Sequence, residues 1–212
     1  MFTSYGYSTM TKGIIMSLLI SAGALLFPFW PRTAILLTAC SAMLFTLYFF
    51  RDPNRNVPDE KRTVLAPADG KVLLVQHHDH KGSGMPSTLV SIFMSPFNVH
   101  VNRIPISGKV THLQYCPGKF LMAFDPRSMK SNEKMEIGID NGEIEVFFNQ
   151  VSGFLARRIV CSLHNGETVM SGNRFGMIKF GSRVDVILPA SASVQVQPGQ
   201  ITRAGETVLA RY

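Results

Sequence analysis

Only three cysteines occur in this 212-residue chain, Cys40, Cys116 and Cys161, and no paired or metal-like spacing relates them. That excludes a disulfide framework and a zinc cluster, and a reducing compartment suits the chain best. Acidic residues are absent before Asp52, and charge of either sign is absent from Gly13 to Phe29 and again from Thr33 to Phe50. No run of basic residues interleaved with aromatics is present, which argues against nucleic acid as a partner. The excess of 21 Lys and Arg over 14 Asp and Glu then points to an anionic membrane surface or an anionic substrate, and the uncharged N-terminal stretches favour lipid.

Each uncharged stretch, as a helix, would reach about 26 Å at ~1.5 Å per residue, a little short of a hydrocarbon core of ~30 Å. Residues 1–50 are therefore expected to form a membrane-associated helical hairpin, spanning or re-entrant, broken at Trp30-Pro31-Arg32. Lys12, Arg51, Arg55 and Lys61 place positive charge at both outer ends, which puts those ends on the cytoplasmic face of the cell membrane. A cleaved signal peptide fits poorly, because the apolar material runs well past any such h-region. Residues 51–62, with Pro53 and Pro58 among turn formers, read as a linker.

Residues 63–212 read as short strands: 64–66, 71–77, 88–94, 109–115, 135–139, 143–148, 175–180, 184–188, 193–196 and 207–210. Asp140-Asn141-Gly142 signals a hairpin with a type I′ turn. Residues 151–163 suit either a strand or a short helix. The fold class is mainly β: an antiparallel sandwich or barrel-like catalytic domain with lipoyl-like hairpin elements, following the N-terminal helical membrane hairpin.

Several residues carry chemistry in outline. Gly181-Ser182 interrupts two alternating stretches, where a turn is the plain reading. Asp69 sits in Pro67-Ala-Asp-Gly70, a turn before a strand. His100 sits between two prolines in 95–105, and an extended course over 97–103 would put Asn98, His100 and Asn102 on one face. Together Asp69, His100 and Ser182 supply an orienting carboxylate, a general base and a hydroxyl. Lys179 and Arg183 flank the dipeptide as solvated charges or anion contacts. His77, His78, Asp79 and His80 precede a Gly-Ser loop and lack a second ligand set, so no metal is expected.

Phe49-Phe-Arg-Asp-Pro53, Ala66-Pro-Ala-Asp-Gly-Lys-Val72, Met94-Ser-Pro-Phe-Asn-Val-His100, Asn132-Glu-Lys134 and Arg174-Phe-Gly through Phe180-Gly-Ser182 follow one another in an order that resembles the phosphatidylserine decarboxylase proenzyme family, in its shorter bacterial and archaeal-type branch. The resemblance covers nearly all of 45–212. It implies self-cleavage between Gly181 and Ser182 into a β chain, 1–181, and an α chain, 182–212. Ser182 would attack the Gly181 carbonyl, with His100 as general base held by Asp69, and would end as a covalent pyruvoyl group. That ketone would form a Schiff base with the amine of a phospholipid substrate, so neither a metal nor pyridoxal phosphate is implied. His100 would return the proton, and Arg103, Asn98, Lys179 and Arg183 are the implied substrate contacts. A homodimer is compatible with this picture. Two departures from the longer branch stand out: Arg103 replaces a second histidine, and Arg183 replaces a Ser or Thr.

Two other classes fit some of the same residues. One is a membrane-anchored serine hydrolase or peptidase using Ser182 or Ser95 with His100 or a lysine. The other is a non-enzymatic lipoyl-like carrier or scaffold, with Lys130 as the modified residue.

Overall fold

The computed structural model describes residues 1–212 apart from 80–85, 123–124, 126, 155–157 and 180–181, and describes 78, 79 and 130 by backbone alone. The chain divides into two units, Met1–Asn54 and Arg55–Tyr212.

In the first unit a 3-10 turn, Ser4–Gly6, leads into α1 (Tyr7–Ala24), and α2 spans Phe29–Phe49. The break falls at 25–28, earlier than the expected Trp30-Pro31-Arg32. Proline forces the residue before it out of the helical region, so Pro28 ends one helix and caps the next. Pro31 lies in the first turn of α2, where its missing N–H leaves no bond unmade. The outer ends are stitched together: Phe2 bridges Arg51, the Thr3 N–H donates to the Phe50 carbonyl at 3.0 Å, and the Asp52 N–H donates to that of Met1 at 2.8 Å. Gly6 is required there, since a Cβ would meet the Phe50 ring at 2.1 Å. Among the described residues α2 is the one helix long and apolar enough to cross a membrane.

The second unit is mainly antiparallel β. Its strands are β1 (Thr63–Leu65), β2 (Gly70–Asp79), β3 (Pro86–Met94), β4 (Val101–Arg103), β5 (Gly108–Cys116), β6 (Lys134–Asp140), β7 (Glu145–Val151), β8 (Ile159–Cys161), β9 (Thr168–Val169), β10 (Arg174–Ile178), β11 (Ser182–Pro189), β12 (Ser193–Val194), β13 (Ile201–Thr202) and β14 (Val208–Arg211), with a single-turn α3 (Ser128–Ser131) before β6. They form an eight-stranded sheet, β13-β2-β3-β11-β7-β6-β5-β9, and two three-stranded sheets, β1-β14-β12 and β4-β10-β8. One core joins all three. Val90, Ile92, Val184, Val186 and Phe148 come from the large sheet, Phe175 and Ile178 from β10, and Val64 and Leu209 from the third sheet. Phe148 and Phe175 meet edge to face at 5.4 Å, a contact worth about 0.5–1.5 kcal/mol beyond the area it buries.

Three local expectations change. The β6–β7 connection is a four-residue loop, since Asp140 pairs with Glu145. Only Gly142 has positive φ, so the turn is not type I′; instead Asn141 Oδ1 accepts the N–H groups of Glu143 and Ile144. Residues 151–163 hold the end of β7 and all of β8, with 155–157 outside the described residues. Most consequential, β10 and β11 do not pair: β10 lies between β4 and β8, and β11 between β3 and β7. The strands on either side of Gly181-Ser182 therefore belong to different sheets and are not the two arms of a hairpin.

Candidate active site

Ser182 opens β11, fourth of the eight strands, opposite Met94 at the end of β3. It is completely buried, and its Oγ lies 3.3 Å from Met94 Sδ. The same sulfur receives Asn102 Nδ2 at 3.8 Å, and Asn102 Oδ1 accepts from Gln150 Nε2 at 2.8 Å. Ser182, Met94, Asn102 and Gln150 thus form one buried chain of polar contacts across β11, β3, β4 and β7. Met94 entered the sequence reading only as the first residue of a motif, and Gln150 not at all. Their strand pattern reads as ordinary core, and only the register places them beside Ser182.

His100 is also fully buried and lies between β3 and β4. Its Nδ1 is 2.9 Å from the Asn98 carbonyl oxygen. The Ser95–Asn98 segment is a turn, with the Asn98 N–H donating to the Ser95 carbonyl at 2.9 Å. Asn98 Oδ1 accepts both the Ser95 N–H and the Ser95 hydroxyl, at 2.9 and 2.8 Å. Asn98 is therefore held by the turn that carries His100, and the extended course begins only at Val101.

Asp69 faces elsewhere. Its Oδ2 pairs with Arg55 at 2.7 Å and its Oδ1 accepts the Ala204 N–H at 2.8 Å, so it clasps the C-terminal tail to the start of the unit. Among the described residues these are its contacts, and His100 is not one of them.

The expected cations divide in two. Arg103 is buried and donates to the Gly172 carbonyl at 2.8 Å. Arg183, also buried, embraces Asp185 with Nη2 and Nε, each at 2.9 Å, and Ser91 Oγ donates to the same carboxylate. Burial pushes the Asp185 carboxyl above its ordinary range, against the pull of Arg183 and Ser91. Lys179 is buried too, and desolvation followed by the charge of Arg158 pushes its ammonium below its usual value.

Two polar atoms close to this centre stand out. Ser152 Oγ and Gln150 Oε1 are buried without a hydrogen-bond partner among the described residues. Arg183 pairs with Val151, so continuing that register brings Ser152 opposite Ser182 on the core-facing side. Asn132 secures this corner, donating to the Ser152 and Leu121 carbonyls at 2.8 Å each. A buried acceptor and hydroxyl left open near Ser182 suit a polar group that forms or binds there. Gly181, His80 and the side chains of His78, Asp79 and Lys130 lie outside the described residues. Ser95 Oγ is turned to Asn98, and the three cysteines are free thiols.

Comparison with known proteins gives the family. Residues 42–210 match the family model described as phosphatidylserine decarboxylase. The chain is 72% identical to a phosphatidylserine decarboxylase proenzyme of Pelodictyon phaeoclathratiforme, with 100% of each chain covered. Proenzymes of the same name from Chlorobium phaeobacteroides and Chlorobium limicola are each 62% identical, covering 99% and 100% of both chains respectively. The chain belongs to the phosphatidylserine decarboxylase family.

Proposed function

We propose that the buried corner around Ser182 makes and houses a pyruvoyl group, and that this group serves the conversion of phosphatidylserine to phosphatidylethanolamine and CO2. The enzyme is a phosphatidylserine decarboxylase. The observation that carries the site assignment is Ser182 itself, a fully buried hydroxyl at the first position of a central strand, opposite Met94. The open Ser152 hydroxyl can donate to a carbonyl at position 182, and the Gln150 amide oxygen can accept from the amine of a substrate bound there. A pyruvoyl ketone supplies the electron sink that lets an amino acid lose CO2 without pyridoxal phosphate.

The chain's own residues then take distinct roles. The Asn98 carbonyl can only accept, so in neutral imidazole the proton sits on His100 Nδ1 and the lone pair on Nε2. That tautomer makes His100 the base for the Ser182 hydroxyl as it attacks the Gly181 carbonyl, and later the donor that returns a proton. Asp69 acts through the frame: with Arg55 and Ala204 it keeps the α chain seated on the β chain. Arg103 and Arg183, tied to Gly172 and Asp185, hold the walls, and Lys179, three residues before Ser182, is the cation assigned to the lipid phosphate. Around the shared core the three sheets are read as a barrel-like sandwich, its α and β chains coming from one proenzyme. The apolar α2 places the enzyme at the membrane, with α1 as the second arm of a hairpin whose basic ends keep the catalytic unit on the cytoplasmic face.

Mass spectrometry of the purified protein tests this. Fragments 1–181 and 182–212 are expected, the second lighter than its sequence by one ammonia-derived change at residue 182. Ser182→Ala should remain a 23.5 kDa chain that releases no CO2. An intact, active wild-type chain would remove the pyruvoyl assignment.

A further inference from the structure

We infer that the catalytic unit carries its own bilayer-contact rim, formed by the loops at the Ser182 end of the large sheet and made to sit on an anionic lipid surface. The inference rests on the decarboxylase reading and adds a surface to it. A single cross-strand row, Lys71–Phe93–Arg183–Val151–Lys134–Cys116, marks that end of the sheet. Three connections leave from it, after β3, β7 and β5. Each carries an exposed apolar side chain: Phe97 at 66% exposure, Phe154 at 56% and Met122 at 49%. Tyr115, near the end of β5, and Ile201, opposite Lys71 on the edge strand β13, are exposed at the same end of the sheet. Among the described residues of this unit seven large apolar side chains are exposed, and these are five of them; the others are Val57 and Met170. Apolar residues scattered singly over a surface need no explanation, but clustering around one site does.

The charges at this end decide the occupant. Lys71, Lys119, Arg127 and Arg158 are exposed there. Of these, Arg127 is paired with Asp125 at 2.8 Å, and Lys134 matches Glu136 at 2.7 Å; Glu133 hydrogen-bonds Tyr115, which leaves Lys71, Lys119 and Arg158 as the cations of the rim. Aromatic and aliphatic tips ringed by cations suit the boundary between acyl chains and anionic headgroups, and they would deliver a lipid headgroup to the buried serine with its acyl chains still in the bilayer.

Trp30 is the chain's one tryptophan, so Trp30→Phe makes a silent background for fluorescence. In proteoliposomes of phosphatidylglycerol with brominated acyl chains, Phe97→Trp and Phe154→Trp should be quenched, and Glu143→Trp, in the β6–β7 loop at the opposite end, should not. Quenching at 97 and 154 no greater than at 143 overturns the rim, as does protection of both sites by a second copy of the chain without quenching. A second arm uses the otherwise native full chain carrying Phe97→Ser and Phe154→Ser. Its kcat/KM on long-chain phosphatidylserine in anionic vesicles should fall about tenfold or more, with dihexanoyl phosphatidylserine in solution changed less than about twofold. Equal loss on both substrates would mean that the loops act on the site itself and would also overturn the rim. A parent protein releasing no CO2 from either substrate removes the decarboxylase reading, and the quenching pattern still decides the surface.

Discussion

At the scale of single residues, the site shows how much of its chemistry is set by partners. Arg183 looked like a solvated charge or a phosphate contact, yet it is buried against Asp185. Removing one member of such a pair strands the other's charge, so Arg183→Met should cost about 3–5 kcal/mol near neutral pH. The pH dependence has a definite sign. Asp185 is held above its ordinary carboxylate value, so its contribution to stability is fullest below that value and is lost as pH rises through the raised one. Without Arg183 that loss should steepen, and urea midpoints of Arg183→Met should approach wild type on acidification; a gap that stays constant with pH would contradict the pairing. Ser152 offers the opposite case. Its hydroxyl is buried and open, so Ser152→Ala should leave stability unchanged or raise it by about 1 kcal/mol, yet slow self-cleavage or CO2 release. A variant with lowered stability and unaltered rates would assign Ser152 to packing alone.

At the scale of elements, glycine positions explain motifs that composition could not. Asp69-Gly70 reads locally as a turn, but the reason for Gly70 is its neighbour: a Cβ there would lie 2.2 Å from the Phe93 carbonyl oxygen, where β2 meets β3. Backbone cannot yield as a side-chain tip does. Gly70→Ala should therefore destabilise the catalytic unit by about 1–3 kcal/mol, as a thermal or urea shift would register. Most strands of the unit were legible from alternation and β-branched content, including β2, β3, β5, β6 and β11. Of the short ones, β4 was only the end of an extended course over 97–103, β8 was left open between strand and helix, and β9 and β13 were not legible. Two or three residues carry no measurable period, and such strands exist only because a longer neighbour offers a free edge. The helix boundary moved for a similar reason: Pro31 looked like a breaker until its place in the first turn of α2 made it harmless.

At the scale of the whole molecule, the topology would tolerate the proposed cleavage. Residues 182–212 supply β11 to the middle of the large sheet, β13 to its edge, and β12 and β14 to the third sheet. Ala204 is held by Asp69, on the other side of the proposed cut. The two fragments should therefore co-elute in native gel filtration and separate only under denaturing conditions; separation in native buffer would show that these pairings do not hold after the cut. The sequence by itself determined a mainly β unit after an apolar N-terminal segment, and the family to which Asp69, His100 and Gly181-Ser182 point, because periodicity, charge distribution and motif order are properties of the chain in one dimension. Tertiary structure alone decided that β10 and β11 lie in different sheets, that Asp69 clasps Arg55 and Ala204, and that Met94 links Ser182 to Asn102 and Gln150. Register and sheet order bring together residues far apart in the chain, 88 positions for Met94 and Ser182 and 135 for Asp69 and Ala204, and no local pattern encodes those meetings.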